Sequence, residues 1–117
     1  MDDEEARQLL AAERERIEQE LEQLHAAVTR AAERGAEPQD SADHARINYG
    51  QAQDLARIEL HERELEAVER AEKRIEDGTY GLSVESGVPI SEGRLRRLPT
   101  AERTTEEQTA FERRGGA

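Results

Sequence analysis

The sequence predicts a mainly α protein: a long antiparallel helical hairpin, in the form of a coiled coil, followed by a small turn-rich module and a short C-terminal helix. Two long stretches have the apolar periodicity of an α-helix. Gly35 and Pro38 lie between these stretches and indicate the end of one helix and a turn. Gly78 lies at the end of the second stretch, where a C′ glycine closes a helix.

The first stretch, residues 4–34, has a narrow apolar stripe on an otherwise charged helix. The residues of this stripe are Leu10, Ile17, Leu21, Leu24, Val28 and Ala31. Because a lone helix would leave this stripe in contact with water, it requires a partner helix.

The second stretch, from about Ser41 to Glu76, provides that partner. Its stripe consists of Ile47, Leu55, Ile58, Leu65, Val68, Ala71 and Ile75. Two long helices joined by a short turn pack antiparallel, so we expect a hairpin over residues 1–78 with its tip near 35–45. The remaining residues, 79–117, form the module with its C-terminal helix.

The module is expected to be small and rich in turns. Residues 80–90 have the pattern of two very short strands around a turn. A single helical turn at 94–98 and a last helix at 104–114, capped by Thr104 or Thr105, complete it. We expect its apolar contacts to come from Tyr80, Leu82, Val84, Val88, Ile90, Leu95 and Leu98.

The composition excludes several functional classes. Of the 117 residues, 34% are hydrophobic and 38% charged, which is typical of long helices and not of a globular domain with a large core. The formal net charge of −11 disfavours non-specific binding to nucleic acid or to an anionic membrane, so a partner should be positively lined. No long apolar run indicates secretion or membrane insertion, so we expect a cytoplasmic protein. The absence of cysteine excludes disulfides, thiol catalysis and cysteine metal sites.

Three motifs follow one another along the second half of the chain. They are Ile75-Glu76-Asp77-Gly78-Thr79-Tyr80-Gly81, then Ser86-Gly87-Val88-Pro89-Ile90, then Arg94-Leu95-Arg96-Arg97-Leu98-Pro99-Thr100-Ala101. In their order and register, these motifs resemble the DksA/TraR family of bacterial transcription regulators.

In that family, four cysteines hold a structural zinc ion. The resemblance places Ser83, Ser86, Thr104 and Glu107 at the four ligand positions. Hydroxyls are poor zinc ligands and one carboxylate cannot replace four thiolates, so we expect a degenerate zinc-finger-like module without bound zinc. Recruitment of a different metal by these oxygen atoms is the alternative.

The segment Asp40-Ser41-Ala42-Asp43-His44-Ala45 has the form D-x-x-D-x-A, which resembles the tip motif of DksA proteins. In the family, this tip enters the secondary channel of RNA polymerase and approaches its active site. The resemblance therefore implies that Asp40, Asp43 and Ala45 are functional tip residues. A structural alternative is that Asp40 is the N-cap of the second helix and Asp43 favours the helix dipole. The two interpretations are compatible.

A basic cluster lies on the module and consists of Arg94, Arg96 and Arg97. The resemblance implies that it contacts the polymerase, and the alternative is a solvated face that balances local acids. Family members often act with the nucleotide ppGpp. The resemblance therefore also implies ppGpp as a ligand at the polymerase interface.

Three histidines and one glycine have no assigned role. His25, His44 and His61 have no partner histidine at helical spacing with which to share a metal ion, and we expect them to face solvent. Gly50 interrupts the second helix, where glycine costs about 1 kcal/mol relative to alanine, and indicates a local bend.

The resemblance predicts a non-enzymatic regulator that binds RNA polymerase through its secondary channel, with an acidic tip near the active site, and modulates transcription initiation. The chain has no convergent catalytic set, which argues against an enzyme. No direct sequence-specific binding to DNA is expected. The alternative is a structural or adaptor coiled coil that self-associates or binds another helical protein.

Overall fold

The computed structural model describes residues 1–36 and 40–116, and the described residues contain four α-helices. They are α1, Asp3–Gly35; α2, Ser41–Asp77; α3, Glu92–Arg97; and α4, Thr105–Arg113. The mainly α fold, with two long helices, a small module and a short C-terminal helix, is therefore confirmed. Among the described residues, no helix is both long enough and apolar enough to cross a membrane. Pro38, on which the predicted turn between the long helices depends, lies outside the described residues.

The first long helix begins at an aspartate cap. Oδ1 of Asp2 accepts a hydrogen bond of 2.8 Å from the N–H of Glu5. This bond satisfies one of the N–H groups that have no partner at a helix start, and the negative charge favours the positive end of the helix dipole. The second long helix begins in the same way, at Asp40.

Contacts divide the chain into two compact units, which are described separately. Unit 1 contains Met1–Glu13 and Ala67–Ala117, and unit 2 contains Arg14–Glu66. The domain boundary predicted after residue 78 stays a prediction.

Unit 2 is an antiparallel pair of helical segments. Arg16 of α1 pairs with Glu64 of α2 at 3.5 Å, and one turn further along α1 Glu20 pairs with His61 at 2.8 Å. The residue number rises along α1, from 16 to 20, while that of the partner falls along α2, from 64 to 61. The two segments therefore run antiparallel. The buried hydrophobic residues of this unit, all from the predicted stripes, are Ile17, Ala31 and Ile58.

The prediction that Leu55 belongs to the apolar stripe of α2 is wrong, because Leu55 is 52% exposed. Each residue of an α-helix is rotated by about 100° from the one before it, so Leu55 points about 80° away from Ile47. The inward positions between Ile47 and Ile58 belong to Gln51 and Asp54, which line a groove between the two helices. The helix interface of unit 2 is therefore partly polar at this level.

Gly50 lies inside a continuous α2. Outside the backbone of its own helix, an added Cβ would meet no atom within 4 Å. Replacing Gly50 with alanine should therefore raise the free energy of unfolding by about 1 kcal/mol, because alanine loses less backbone entropy in a helix. Urea denaturation followed by helical circular dichroism measures this change.

The control is Ala52→Gly, at an exposed position of the same helix. It should lower the free energy of unfolding by a similar amount. A loss of stability in Gly50→Ala would contradict the prediction.

Unit 1 pairs the first turns of α1 with the last turns of α2, and Arg7 and Ile75 line one groove between them. Its buried helix residues are Ala6, Leu10, Val68, Ala71 and Ile75. The end of α2 is a Schellman motif: the N–H of Thr79 donates to the carbonyl of Arg74 at 2.9 Å, and the N–H of Gly78 donates to that of Ile75 at 3.2 Å. Gly78 has a φ of 77°, which favours glycine, so the predicted helix stop is confirmed.

The module of unit 1 has a small apolar core, against which Met1 and Tyr80 pack. The buried core residues are Ile90, Leu95 and Ala101. The hydroxyl of Tyr80 donates a hydrogen bond of 2.8 Å to the carbonyl oxygen of Pro99. Four residues predicted to support this core are instead 38% to 49% exposed, and this part of the prediction is wrong. They are Leu82, Val84, Val88 and Leu98.

The two short strands predicted within residues 80–90 are also wrong. Among the described residues this segment contains one isolated antiparallel bridge, between Leu82 and Pro89. The N–H of Ile90 donates to the carbonyl oxygen of Gly81 at 2.7 Å on one side of this bridge. The N–H of Ser83 donates to the carbonyl oxygen of Val88 at 2.8 Å, so the segment folds as a tight turn.

Candidate functional site

The tip segment, residues 40–46, begins α2. Oδ1 of Asp40 accepts a hydrogen bond of 2.8 Å from the N–H of Asp43. The carbonyl oxygen of Asp40 accepts one of 3.1 Å from the N–H of His44. Asp40 is therefore the N-cap of α2, and the structural alternative for this residue is confirmed.

Asp43 and Ala45 lie in the first turns of α2. The Asp43 carboxylate is 42% exposed and forms an ion pair with the guanidinium of Arg46, one turn further along. Ala45 is exposed. The segment therefore presents one capping carboxylate, one carboxylate shared with an exposed arginine and one small apolar side chain. The role of these residues at a polymerase stays a prediction.

The three arginines of the basic cluster lie in three different environments. Nε of Arg94 donates to the carbonyl oxygen of Arg103 at 2.9 Å, so Arg94 stabilises the module. Arg96 pairs with Glu5 at 2.9 Å, and the hydrogen bond raises the pKa of Arg96. Arg97 is exposed, and within the described part of the chain its guanidinium has no hydrogen-bond or ion-pair partner. Arg97 is thus the most available of the three to an external anion, and polymerase contact by this cluster stays a prediction.

The four positions predicted from the resemblance as zinc-ligand positions lie together in unit 1, and we call them the carboxylate cluster. They are Ser83, Ser86, Thr104 and Glu107. Ser83 is buried, and its Oγ accepts hydrogen bonds of 3.1 and 3.2 Å from the N–H groups of Glu85 and Ser86. Oγ of Ser86 accepts one of 3.4 Å from the N–H of Val88. Both serines are therefore fixed on one tight turn.

Thr104 and Glu107 are fixed at the start of α4. The N–H of Thr104 donates to Oε1 of Glu107 at 2.9 Å, and the N–H of Glu107 donates to Oγ1 of Thr104 at 3.2 Å. This is a capping box, in which each residue satisfies an N–H of the other. The predicted cap at Thr104 is confirmed.

The Glu107 carboxylate has a strongly lowered pKa. The hydrogen bond from the Thr104 backbone lowers the pKa of Glu107 most, and the nearby Ser86 and Ser83 hydroxyls lower it further, to about 2. Hydrogen bonds to the charged form of a carboxylate favour that form. Glu107 is therefore an anion whose hydrogen bonds in the structure come from the capping box with Thr104.

The donor atoms of this cluster do not fit a zinc ion. Structural zinc sites in proteins take thiolate and imidazole ligands, with some carboxylates, whereas three of these four side chains are hydroxyls. Among the described residues, no group of three or more histidine or acidic side chains could hold a metal ion. The absence of bound zinc stays a prediction for the protein in solution.

Acid should weaken the carboxylate cluster. A group whose pKa is lower in the folded protein than in the unfolded chain stabilises the fold fully above its usual pKa, which is 4.5 for Glu107. That contribution is lost as the pH falls toward the folded pKa of about 2. Urea denaturation at a series of pH values should therefore show the advantage of the wild type over Glu107→Gln shrinking between these two values. An advantage that stays constant over this range would contradict the prediction.

Glu102 links the module to the end of α2, a contact that the sequence analysis missed. Its carboxylate accepts hydrogen bonds of 3.2 and 3.0 Å from Arg70 and one of 3.2 Å from Arg74. Burial alone would raise the pKa of Glu102, but the hydrogen bond and charge of Arg70, with the charges of Arg74 and Arg103, lower it. No sequence signal identifies this link, because acidic and basic residues occur throughout the chain.

His61 is a second residue that the sequence analysis misplaced. It is 15% exposed, with Nε2 2.8 Å from Glu20 and Nδ1 3.3 Å from Glu64, so the prediction that it faces solvent is wrong. Its ring bridges the two helices of unit 2. His25 is exposed as predicted, and His44 is half-buried.

Known proteins resemble this chain in both sequence and fold. It is 36% identical over 75 residues to the RNA polymerase-binding transcription factor DksA of Caulobacter vibrioides, covering 64% of this chain and 53% of that protein. It is 47% identical over 60 residues to the uncharacterized protein YteA of Bacillus subtilis, covering 50% of this chain and 25% of that protein. The transcription factor DksA2 from Pseudomonas aeruginosa superposes with a TM-score of 0.81 at 27% identity, covering 96% of this chain and 84% of that one. No protein-family model matches the chain.

The chain has two long helices followed in sequence by a small module, and its fold is like that of the transcription factor DksA2. The chain resembles the DksA/TraR family in both sequence and fold. It spans about half the length of the curated DksA that it matches. The predicted resemblance to this family is confirmed, and the cysteine-free sequence is consistent with the structure.

Proposed function

We propose that the protein is a non-enzymatic transcription regulator that binds RNA polymerase. The observation that supports this proposal is the superposition on the transcription factor DksA2 over 96% of this chain. The relative from C. vibrioides is named as an RNA polymerase-binding transcription factor. The proposed site of action is the cytoplasm, where the polymerase is found, with no direct sequence-specific contact to DNA.

The tip segment is the proposed contact near the polymerase active site, reached through the secondary channel. A formal net charge of −11 favours entry into a positively lined channel. The half-exposed Asp43 can exchange its partner Arg46 for a cationic group of the polymerase, and Ala45 beside it permits close approach. Occupation of the channel then modulates initiation without a catalytic group. Arg97 supplies a further proposed contact, and ppGpp is a proposed ligand at the same interface.

Binding of the full chain to core bacterial RNA polymerase, with promoter-complex lifetime read in the same samples, tests this proposal. Asp40→Asn removes a charge and keeps the N-cap, because asparagine caps a helix as well as aspartate does. Asp43→Asn removes the second charge. We expect the wild type to bind and shift the lifetime, and the double variant to bind without shifting it.

A matched control is the double variant Glu59→Gln, Glu62→Gln, which removes two charges from exposed positions of α2 outside the tip segment. The control should behave like the wild type. If it loses the effect as fully as the tip variant does, net charge and not the tip is responsible. If the wild type does not bind core polymerase, the proposed function is wrong.

A second candidate function is a structural or adaptor coiled coil, and exposed apolar side chains on α2 favour it. Tyr49, Leu55 and Leu60 are 67%, 52% and 47% exposed. Exposed apolar side chains on a helix can pack against another helix. Analytical ultracentrifugation of the wild type and of a variant with these three residues replaced by serine tests this candidate. Self-association that the variant loses would favour the adaptor function, and a monomeric wild type that binds polymerase would favour the regulator.

A further inference from the structure

The helix α4 has little apolar packing to hold it in the module. None of its nine residues, all of which the structure describes, is buried. Isolated helices shorter than about 12 residues are only marginally stable in water. Contacts other than an apolar core must therefore hold α4 in place.

Arg103 lies where three segments of the module meet. Its carbonyl oxygen accepts a hydrogen bond of 2.9 Å from Nε of Arg94 in α3. Its guanidinium carbon lies 3.6 Å from the centre of the Phe111 ring in α4. Its Nε is 3.3 Å from Oε1 of Glu85, which belongs to the turn at 83–88. One arginine thus contacts α3, α4 and the turn.

The Arg103 side chain is held by charge and by stacking. A guanidinium over the face of an aromatic ring is attracted by the negative charge of that face. The side chain is 18% exposed, and within the described part of the chain its Nε is buried without a hydrogen-bond partner. The nearby Glu85 carboxylate therefore acts on Arg103 through charge. Removing that carboxylate would leave a largely buried cation without this counter-charge, which destabilises a fold.

Glu85 also pairs with the residue that follows α4. Its Oε1 accepts a hydrogen bond of 3.1 Å from Arg114, the C-cap of the helix. Arg103 precedes α4 and Arg114 follows it, so one carboxylate contacts both ends of the helix. The N–H of Val84 adds a hydrogen bond of 2.9 Å to the carbonyl oxygen of Glu102. The turn is therefore joined to both ends of α4 by a carboxylate between two guanidinium groups.

We propose that Glu85, Arg103 and Arg114 form an ionic clamp that holds α4 against the turn at 83–88, and that rising ionic strength opens this clamp. Glu85 and Arg114 are exposed, so dissolved ions reach the pair. Salt reduces the Debye length from about 10 Å at 0.1 M to about 3 Å at 1 M, which weakens the attraction between exposed charges. Because none of the described α4 residues is buried, weaker attraction at both ends of the helix releases it.

Hydrogen exchange on the full chain tests the proposal. The N–H of Val84 bonds to a residue outside the turn, and the N–H of Gln108 bonds at the start of α4. Their exchange reports separation of the turn and opening of the helix. Glu85→Gln keeps the size of the side chain and removes its charge. We expect exchange of both amides to accelerate about fivefold, because a charged hydrogen bond and a partly exposed ion pair are lost.

Gly87 provides the internal control for this measurement. Its N–H bonds inside the turn, and its exchange should not change in Glu85→Gln. If the Gly87 amide alone responds, Glu85 acts only within its own turn and the proposal is wrong. The proposal is equally wrong if no amide responds.

Arg114→Gln and Arg113→Gln form a matched pair of variants. Each removes one positive charge from an exposed position at the end of α4, but it is Arg114 that bonds to Glu85. Arg114→Gln should accelerate exchange in α4 more than Arg113→Gln does. Equal effects would mean that the helix dipole and not the clamp is responsible. Arg114→Gln should also cost less in the Glu85→Gln background than in the wild type, and full additivity would overturn the proposal.

A salt series separates charge from packing. The difference in exchange between the wild type and Glu85→Gln should shrink as sodium chloride rises from about 0.05 to about 1 M. Comparing the two proteins at each concentration removes the general effect of salt on the stability of the chain. A difference that stays constant over the series would overturn the proposal, because a side chain that only packs does not respond to screening.

Discussion

Replacing Ile17 with alanine should lower the free energy of unfolding by about 3 kcal/mol. Ile17 is 0% exposed and lies in the antiparallel helix pair of unit 2. Truncation removes apolar contacts and leaves a cavity that the surrounding side chains fill only in part. Urea denaturation followed by helical circular dichroism measures the loss.

Leu55→Ala is the matched control, because it also shortens an aliphatic side chain of unit 2. Leu55 is 52% exposed, so the variant should lose less than about 1 kcal/mol. Equal losses for Ile17→Ala and Leu55→Ala would mean that α2 presents a different face to α1 in solution.

Glu102→Ala should lower the free energy of unfolding by about 2 kcal/mol. The change removes the acceptor shared by Arg70 and Arg74 and leaves the 13% exposed Arg74 without this counter-charge. Two nitrogens of Arg74, Nε and Nη2, are already buried without a hydrogen-bond partner in the described structure. The expected loss is smaller than that for a fully buried ion pair, because Glu102 is 20% exposed and water screens part of the interaction.

Two further variants show whether the Glu102 effect comes from its ion pairs. Glu69→Ala removes an exposed acid of α2 and should change stability by less than about 0.5 kcal/mol. Adding Arg74→Met to Glu102→Ala should restore part of the loss, because it removes the unpaired charge. If the second change deepens the loss, the role of Arg74 is packing and not charge.

The long helices could be predicted from the sequence because local rules determine them. The stop at Gly78 depends on one positive φ, and the start at Asp40 depends on one side-chain oxygen. Leu55 was misplaced because apolar residues were assigned to one stripe without following the rotation of the helix. The true inward positions nearby are polar residues such as Gln51 and Asp54. Hydrophobicity alone does not identify such an interface.

The module was harder to predict because its contacts join residues far apart in the sequence. The motif register identified Ser83, Ser86, Thr104 and Glu107 as a set, and the structure brings them together. That the two serines lie near Glu107 depends on how a turn and a helix meet. The apolar core could not be inferred from residue type, since Ala101 is buried while Val84 is exposed.

The two tyrosines of this chain fall in different units. Tyr80 packs against the module core in unit 1, and Tyr49 lies exposed on α2 in unit 2. Because the sequence contains no tryptophan, tyrosine dominates its intrinsic fluorescence. Tyr49→Phe leaves an optical signal from unit 1 alone, and Tyr80→Phe leaves one from unit 2 alone. Because Tyr80 packs against the module core, Tyr49→Phe allows the unfolding of unit 1 to be followed in the intact chain without an attached dye.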